Sequence, residues 1–154
     1  MTRGRIAGVD FGSVRIGVAI ADSEIRIASP LVNYNRRTPA LDAAFFVELV
    51  RSEAIRRFVV GLPVHLDGRE SAKSREAREF GAWLAAITGI EVLFFDERFT
   101  SAEALEHLSA AKLTKKKRRD RLDKLAAQIL LTAYLERGEL GAAGEPGAPG
   151  GLDD

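Results

Sequence analysis

The sequence predicts an α/β fold: a mixed five-stranded sheet, three strands in an antiparallel meander and two parallel, flanked by helices on both faces. Two patterns carry that expectation. The chain opens with three apolar, β-branched runs separated only by short turns. Two later apolar runs, Phe58–Leu62 and Glu91–Phe95, are each entered through a segment with helical spacing, as parallel strands require.

Taken in order, residues 5–12 and 15–21 are the first two strands, joined by Gly12-Ser13-Val14 as a tight hairpin, and Ile27–Tyr34 completes the meander. Residues 39–54 are read as a helix, with Pro39 in its first turn and Leu41, Ala44, Phe45, Leu49 and Val50 on one face. Phe58–Leu62 is a short buried strand closed by Pro63, and a polar loop with Asp67-Gly68 follows. Residues 71–88 are a helix capped by Ser71, striped by Ala77, Phe80, Leu84 and Ile87, and stopped by Gly89. After the strand 91–95 come a helix from about Ser101 to Ala111, a basic loop, and a final helix from about Arg121 to Arg137. Right-handed crossovers would set the fourth strand beside the first, and the fifth beside the fourth.

The length of 154 residues suits one domain, expected over residues 1–138. Residues 139–154, rich in Gly, Ala and Pro, lack the apolar side chains to fold and read as a disordered tail. The hydrophobic and charged fractions, 46% and 29%, are those of a soluble globular protein. No apolar run reaches the ~20 residues of a membrane span, and no secretory signal opens the chain, so a cytoplasmic location follows by elimination. Without cysteine there are no disulfides, thiolate nucleophiles or Cys-based zinc sites, and His65 and His107 lack a metal-binding spacing. The formal charge of +1 is uneven. Removing the three acids of residues 141–154 leaves +4, and residues 112–121 gather Lys112, Lys115, Lys116, Lys117, Arg118, Arg119 and Arg121 against Asp120 alone. Such a run suits a polyanion, through phosphate neutralisation rather than base stacking, since no aromatic interrupts it. A generic alternative is solvated charge.

Three carboxylate positions carry the chemistry. Asp10 ends the first apolar strand, Asp96-Glu97 ends the last, and Asp123 lies at the start of the final helix. Burying one unpaired carboxylate is costly, and two or three together are tolerated mainly around a cation. Oxygen donors of this kind select Mg²⁺ or Mn²⁺, and so phosphate chemistry, with Asp10 as a ligand shared by two ions. Each has a plainer reading. Asp10 can be satisfied by backbone amides, and Asp123 can be a helix-dipole partner. Of the adjacent Asp96 and Glu97 only one should face the metal, the other pairing with Arg98 or capping the next helix. Arg15 and Arg98 are either phosphate contacts or structural ion pairs. Trp83 and the phenylalanines at 45, 46, 58, 80, 94 and 95 read as core.

Four blocks in order resemble the YqgF/RuvX family, on the ribonuclease H-like fold: Gly8-Val9-Asp10-Phe11-Gly12 with Arg15-Ile16-Gly17-Val18-Ala19; Val60-Gly61-Leu62-Pro63 with Asp67-Gly68; Asp96-Glu97-Arg98 with Thr100; and Asp123-Lys124-Leu125-Ala126-Ala127. The resemblance covers roughly residues 5–137. It implies metal binding and catalysis by Asp10, Glu97 and Asp123, and favours Glu97 over Asp96. One departure is Val14, where the family usually carries a basic or polar residue.

The family is described as Holliday-junction-resolvase-like, or as a candidate nuclease for the small-subunit (pre-16S) ribosomal RNA precursor. The implied function is therefore a metal-dependent nuclease acting on structured nucleic acid, RNA favoured, with ribosomal precursor particles as partners and a monomer or homodimer as the working form. The alternatives are resolution of four-way DNA junctions, a non-catalytic nucleic-acid-binding module, and an ATP binder of the actin-like or sugar-kinase type. The last needs a duplicated second domain, and no second copy of the first block exists in the chain.

Overall fold

The computed structural model describes residues 4–63, 69–100 and 125–137. The elements are β1 (Arg5–Phe11), β2 (Arg15–Asp22), β3 (Ala28–Asn35), α1 (Pro39–Glu53), β4 (Ile55–Leu62), α2 (Ala72–Thr88) and β5 (Glu91–Asp96), then a single 3₁₀ turn at Glu97–Phe99. A helix, α3, occupies 125–137. The expected helix 101–111, the basic run 112–121, Asp123, His65, Asp67-Gly68 and the tail 139–154 lie outside the described residues.

The sheet has the expected order β3-β2-β1-β4-β5. β1/β2 and β2/β3 pair antiparallel, and β1/β4 and β4/β5 pair parallel. Local chemistry sets the helix ends. Thr38 accepts a hydrogen bond from the Leu41 N–H and Pro39 occupies the first turn of α1. Ser71 and Ser74 cap α2 reciprocally, at 3.0 and 2.8 Å. α2 ends at Gly89, whose positive φ of 71° suits a residue without a Cβ.

Three expectations are corrected. β4 begins at Ile55, not Phe58. Arg57 belongs to the strand because its guanidinium donates to Glu91 at 2.9 Å and to the Tyr134 hydroxyl at 3.0 Å. On α1, Leu41 and Ala44 face solvent, and the buried residues are Asp42, Phe46 and Leu49. A carboxylate can lead this inner face because Asp42 accepts from the Tyr34 hydroxyl at 2.5 Å and the Arg37 N–H at 2.8 Å. Phe94 is exposed, since β5 is an edge strand; its ring lies against Gly81 with the Arg78 guanidinium 5.4 Å away.

Two cores flank the sheet. Between it and α1/α2, Phe46 is fully buried and meets the rings of Tyr34, Phe45, Phe58, Phe80 and Trp83. The opposite core is made of small side chains, including Ala19, Ala21, Ala28 and Ala127, with Ile6, Val59, Leu131, Tyr134 and Leu135. There α3 approaches β1 closely: a Cβ on Gly8 would lie 2.8 Å from the Leu131 Cβ and 3.2 Å from the Ala127 carbonyl oxygen. Polar ties hold α3 in place. Gln128 donates to the Ala28 carbonyl at 2.9 Å, and Arg26 donates to the Leu135 carbonyl at 2.7 Å. The C-terminal end of α3 is thus fixed near the start of β1, and its N-terminal end is directed towards Asp10.

Candidate active site

Alternation along β1 decides where Asp10 points. Val9 is fully buried in the aromatic core, and Phe11 stacks on Phe80 with ring centroids 4.6 Å apart. Asp10, between them, faces the α3 side, as Gly8 does. Its partner on β2 is Gly17. On the other flank Val9 pairs with Val60, so the next residue of β4, Gly61, lies beside Asp10. Two strand glycines, which carry no side chains of their own, therefore flank Asp10 in its row.

Glu97 reaches the same row from β5. Phe95 and Asp96 pair with Gly61 and Leu62, after which the chain turns into the 3₁₀ helix. The Glu97 carboxylate folds back over Gly61: a Cβ there would lie 3.2 Å from both Cγ and Cδ of Glu97, and would clash with Oε2. Burial is the main cause that raises the Glu97 pKa above the ordinary carboxylate value, and the negative charge of Asp96 adds to it. Among the described residues no cation pairs with Glu97.

Asp96 is engaged differently. It caps the 3₁₀ turn by accepting from the Arg98 N–H at 2.9 Å, and it holds the Arg98 guanidinium through both oxygens, Oδ1 at 3.1 Å and Oδ2 at 2.9 and 2.5 Å. Asp96 and Arg98 thus form a local ion pair at the turn. Arg15 opens β2 opposite Asn35, at the hairpin end of the sheet. Val14, in the hairpin, is 62% exposed.

The structure thus brings Asp10 and Glu97 to one end and one face of the sheet. A half-buried, raised carboxylate that pairs with no cation among the described residues, next to a carboxylate flanked by two strand glycines, suits a hard divalent cation. Among the described residues no group of three or more His, Asp or Glu gathers. Asp123 and the basic run are outside them, and α3 is described from two residues after Asp123. The sequence reading missed the part played by Gly17 and Gly61. Its available signal was an isolated glycine inside each of two apolar strands, a mark of close approach.

Comparison with known proteins gives three findings. The RuvX family model, described as Holliday junction resolvase, matches residues 4–137. A protein of Rhodopirellula baltica, named as a candidate pre-16S rRNA nuclease, is 50% identical over 141 residues, covering 89% of this chain and 82% of its own length. A protein of the same name from Anaeromyxobacter dehalogenans is 42% identical over 133 residues, covering 86% and 97%. Among solved structures, Thermus thermophilus RuvC in complex with a Holliday junction substrate matches with a TM-score of 0.53 at 18% identity, over 88% of this chain and 96% of that one. That likeness and the sheet order are those of the ribonuclease H-like fold.

Proposed function

This chain belongs to the RuvX family, and on that premise we propose that it is a divalent-metal-dependent nuclease that hydrolyses phosphodiester bonds of structured RNA. The proposed natural substrate is the small-subunit ribosomal RNA precursor at its 5′ end, in the cytoplasm, on the strength of the names its relatives carry. The single observation that carries the chemistry is the placing of glycine-flanked Asp10 beside the half-buried Glu97, which pairs with no cation among the described residues.

In this reading Asp10, Glu97 and Asp123 hold Mg²⁺ or Mn²⁺. Divalent ions there would supply charge stabilisation for in-line attack of water at phosphorus. Gly17 and Gly61, the strand neighbours of Asp10, add no side chain beside it. Glu97 must lose its proton to act as a donor, so its raised pKa couples the site to pH. Asp96 fixes the turn that aims Glu97, and Arg98 holds Asp96. Lys112, Lys115, Lys116, Lys117, Arg118, Arg119 and Arg121, with Arg15, neutralise backbone phosphates and position the substrate without reading its sequence.

The family description favours a second reading, resolution of four-way DNA by a homodimer that cuts two strands symmetrically. One experiment separates the two. Purified wild type and Asp10→Asn are incubated in Mg²⁺ or Mn²⁺ with a precursor RNA and, separately, with a four-way DNA junction. Cleavage of the RNA, reduced at least about a hundredfold in Asp10→Asn, is expected. Symmetric nicking of the junction with inert RNA would install the second reading. Cleavage undiminished by Asp10→Asn would remove the site.

A further inference from the structure

On the other face of the sheet, at the same end, a cleft of about 520 Å³ opens between the β1–β2 hairpin and helices α1 and α2. Phe11, Phe80 and Trp83 give it an aromatic wall, and Arg36, Glu76 and Glu79 are its charged margin. We propose that this cleft docks an arginine-bearing segment of a basic protein partner.

The charges decide the occupant. Arg36 is committed internally: its guanidinium lies 5.0 Å over the Phe11 ring, and it donates to the Gly12 and Ser13 carbonyls at 3.4 and 3.3 Å. Asp42, on the same wall, is taken up by Tyr34 and Arg37. Glu76 and Glu79 are different. They sit three residues apart on α2, so they share a face, and both are exposed. Among the described residues neither makes a hydrogen bond or an ion pair. Lys73 and Arg75 stand one turn away on α2, but among the residues that line the cleft the charge left unpaired is that of Glu76 and Glu79, and it stands beside aromatic rings.

A guanidinium answers both features. It is flat enough to stack on a ring, as Arg36 already does on Phe11, and it forks onto a carboxylate. A phosphate backbone is repelled by the same two glutamates, which separates this surface from the nuclease site. Asp10 and Phe11 point to opposite faces of β1, so a protein held in the cleft leaves the acidic pair open. The volume, within the roughly 300–1,000 Å³ common for ligand pockets, admits more than one side chain.

Trp83 is the only tryptophan of the chain, so its emission reports on this cleft directly. The full-length protein is titrated with an arginine-rich peptide, with lysine-rich and glutamate-rich peptides of equal length, and with a single-stranded RNA. The arginine peptide is expected to change Trp83 emission saturably. Binding should be about tenfold weaker for the lysine peptide and for the E76Q/E79Q double variant, and undetectable for the glutamate peptide. An unresponsive Trp83, equal binding of arginine and lysine peptides, or full affinity in E76Q/E79Q would overturn the proposal. So would displacement of the arginine peptide from E76Q/E79Q and wild type alike by the RNA.

Discussion

One face of the sheet is filled by a cluster of rings, the other mainly by alanine methyls, aliphatic side chains and bare backbone, with Tyr134 against Phe95. Under α1 and α2, Phe46 touches five aromatic neighbours, and stability comes from large buried areas. Under α3, alanines and Gly8 bring backbone close to backbone, and Gly17 and Gly61 flank Asp10. The contrast separates the part of the sheet that keeps the fold from the part that is shaped for chemistry.

Variants on each face can break this division. Phe46→Ala should cost about 3–5 kcal/mol in chemical denaturation, because five ring contacts leave little freedom to collapse; a loss under ~1 kcal/mol would show that the aromatic face is not the stabilising one. Next in size, Glu97→Gln should lower cleavage about a hundredfold while leaving the melting temperature of the metal-free protein unchanged or raised, since it removes a desolvated charge. A matching fall in melting temperature would make Glu97 a structural residue. Gly8→Ala should destabilise by about 1–3 kcal/mol, because the new methyl meets α3 backbone at 3.2 Å and the Leu131 Cβ at 2.8 Å. A neutral result would mean that α3 rides loosely on β1.

The smallest effect is on pH dependence. Glu97 has a carboxyl pKa raised by burial and by Asp96, so between the ordinary value of 4.5 and the raised one the folded chain binds more protons than the unfolded. Metal-free stability should therefore fall as pH rises through that window, a slope that Glu97→Gln abolishes. Cleavage should run the other way, declining on acidification at a pH above that of an ordinary glutamate, because the proton competes with the cation. Flat profiles in both measurements would remove Glu97 from the acidic pair.

Much of this was legible in the residues. The meander, the helices α1, α2 and α3 and the order β3-β2-β1-β4-β5 follow from apolar spacing and the crossover rule. Asp10 was legible too, as a lone charge in an apolar strand. The preference for Glu97 over Asp96 came from the family resemblance alone, because in physical terms it depends on a turn: Arg98 captures one carboxylate and the 3₁₀ helix swings the other over Gly61. The inner face of α1 was misread because apolarity cannot foresee that Tyr34 and Arg37 would make Asp42 a buried residue. The exposure of Phe94 needed the strand order as well as the strand, since only an edge position leaves its ring uncovered.

The tie between Gly8 and α3 has a consequence for biosynthesis. On the ribosome, β1 is finished more than a hundred residues before 125–137 are made. Until that helix emerges and docks, the alanine-lined side of the sheet stays wet, with Asp10 open to bulk water. The face that carries Asp10 and the Glu97 carboxylate is thus the last to be covered as the chain is made.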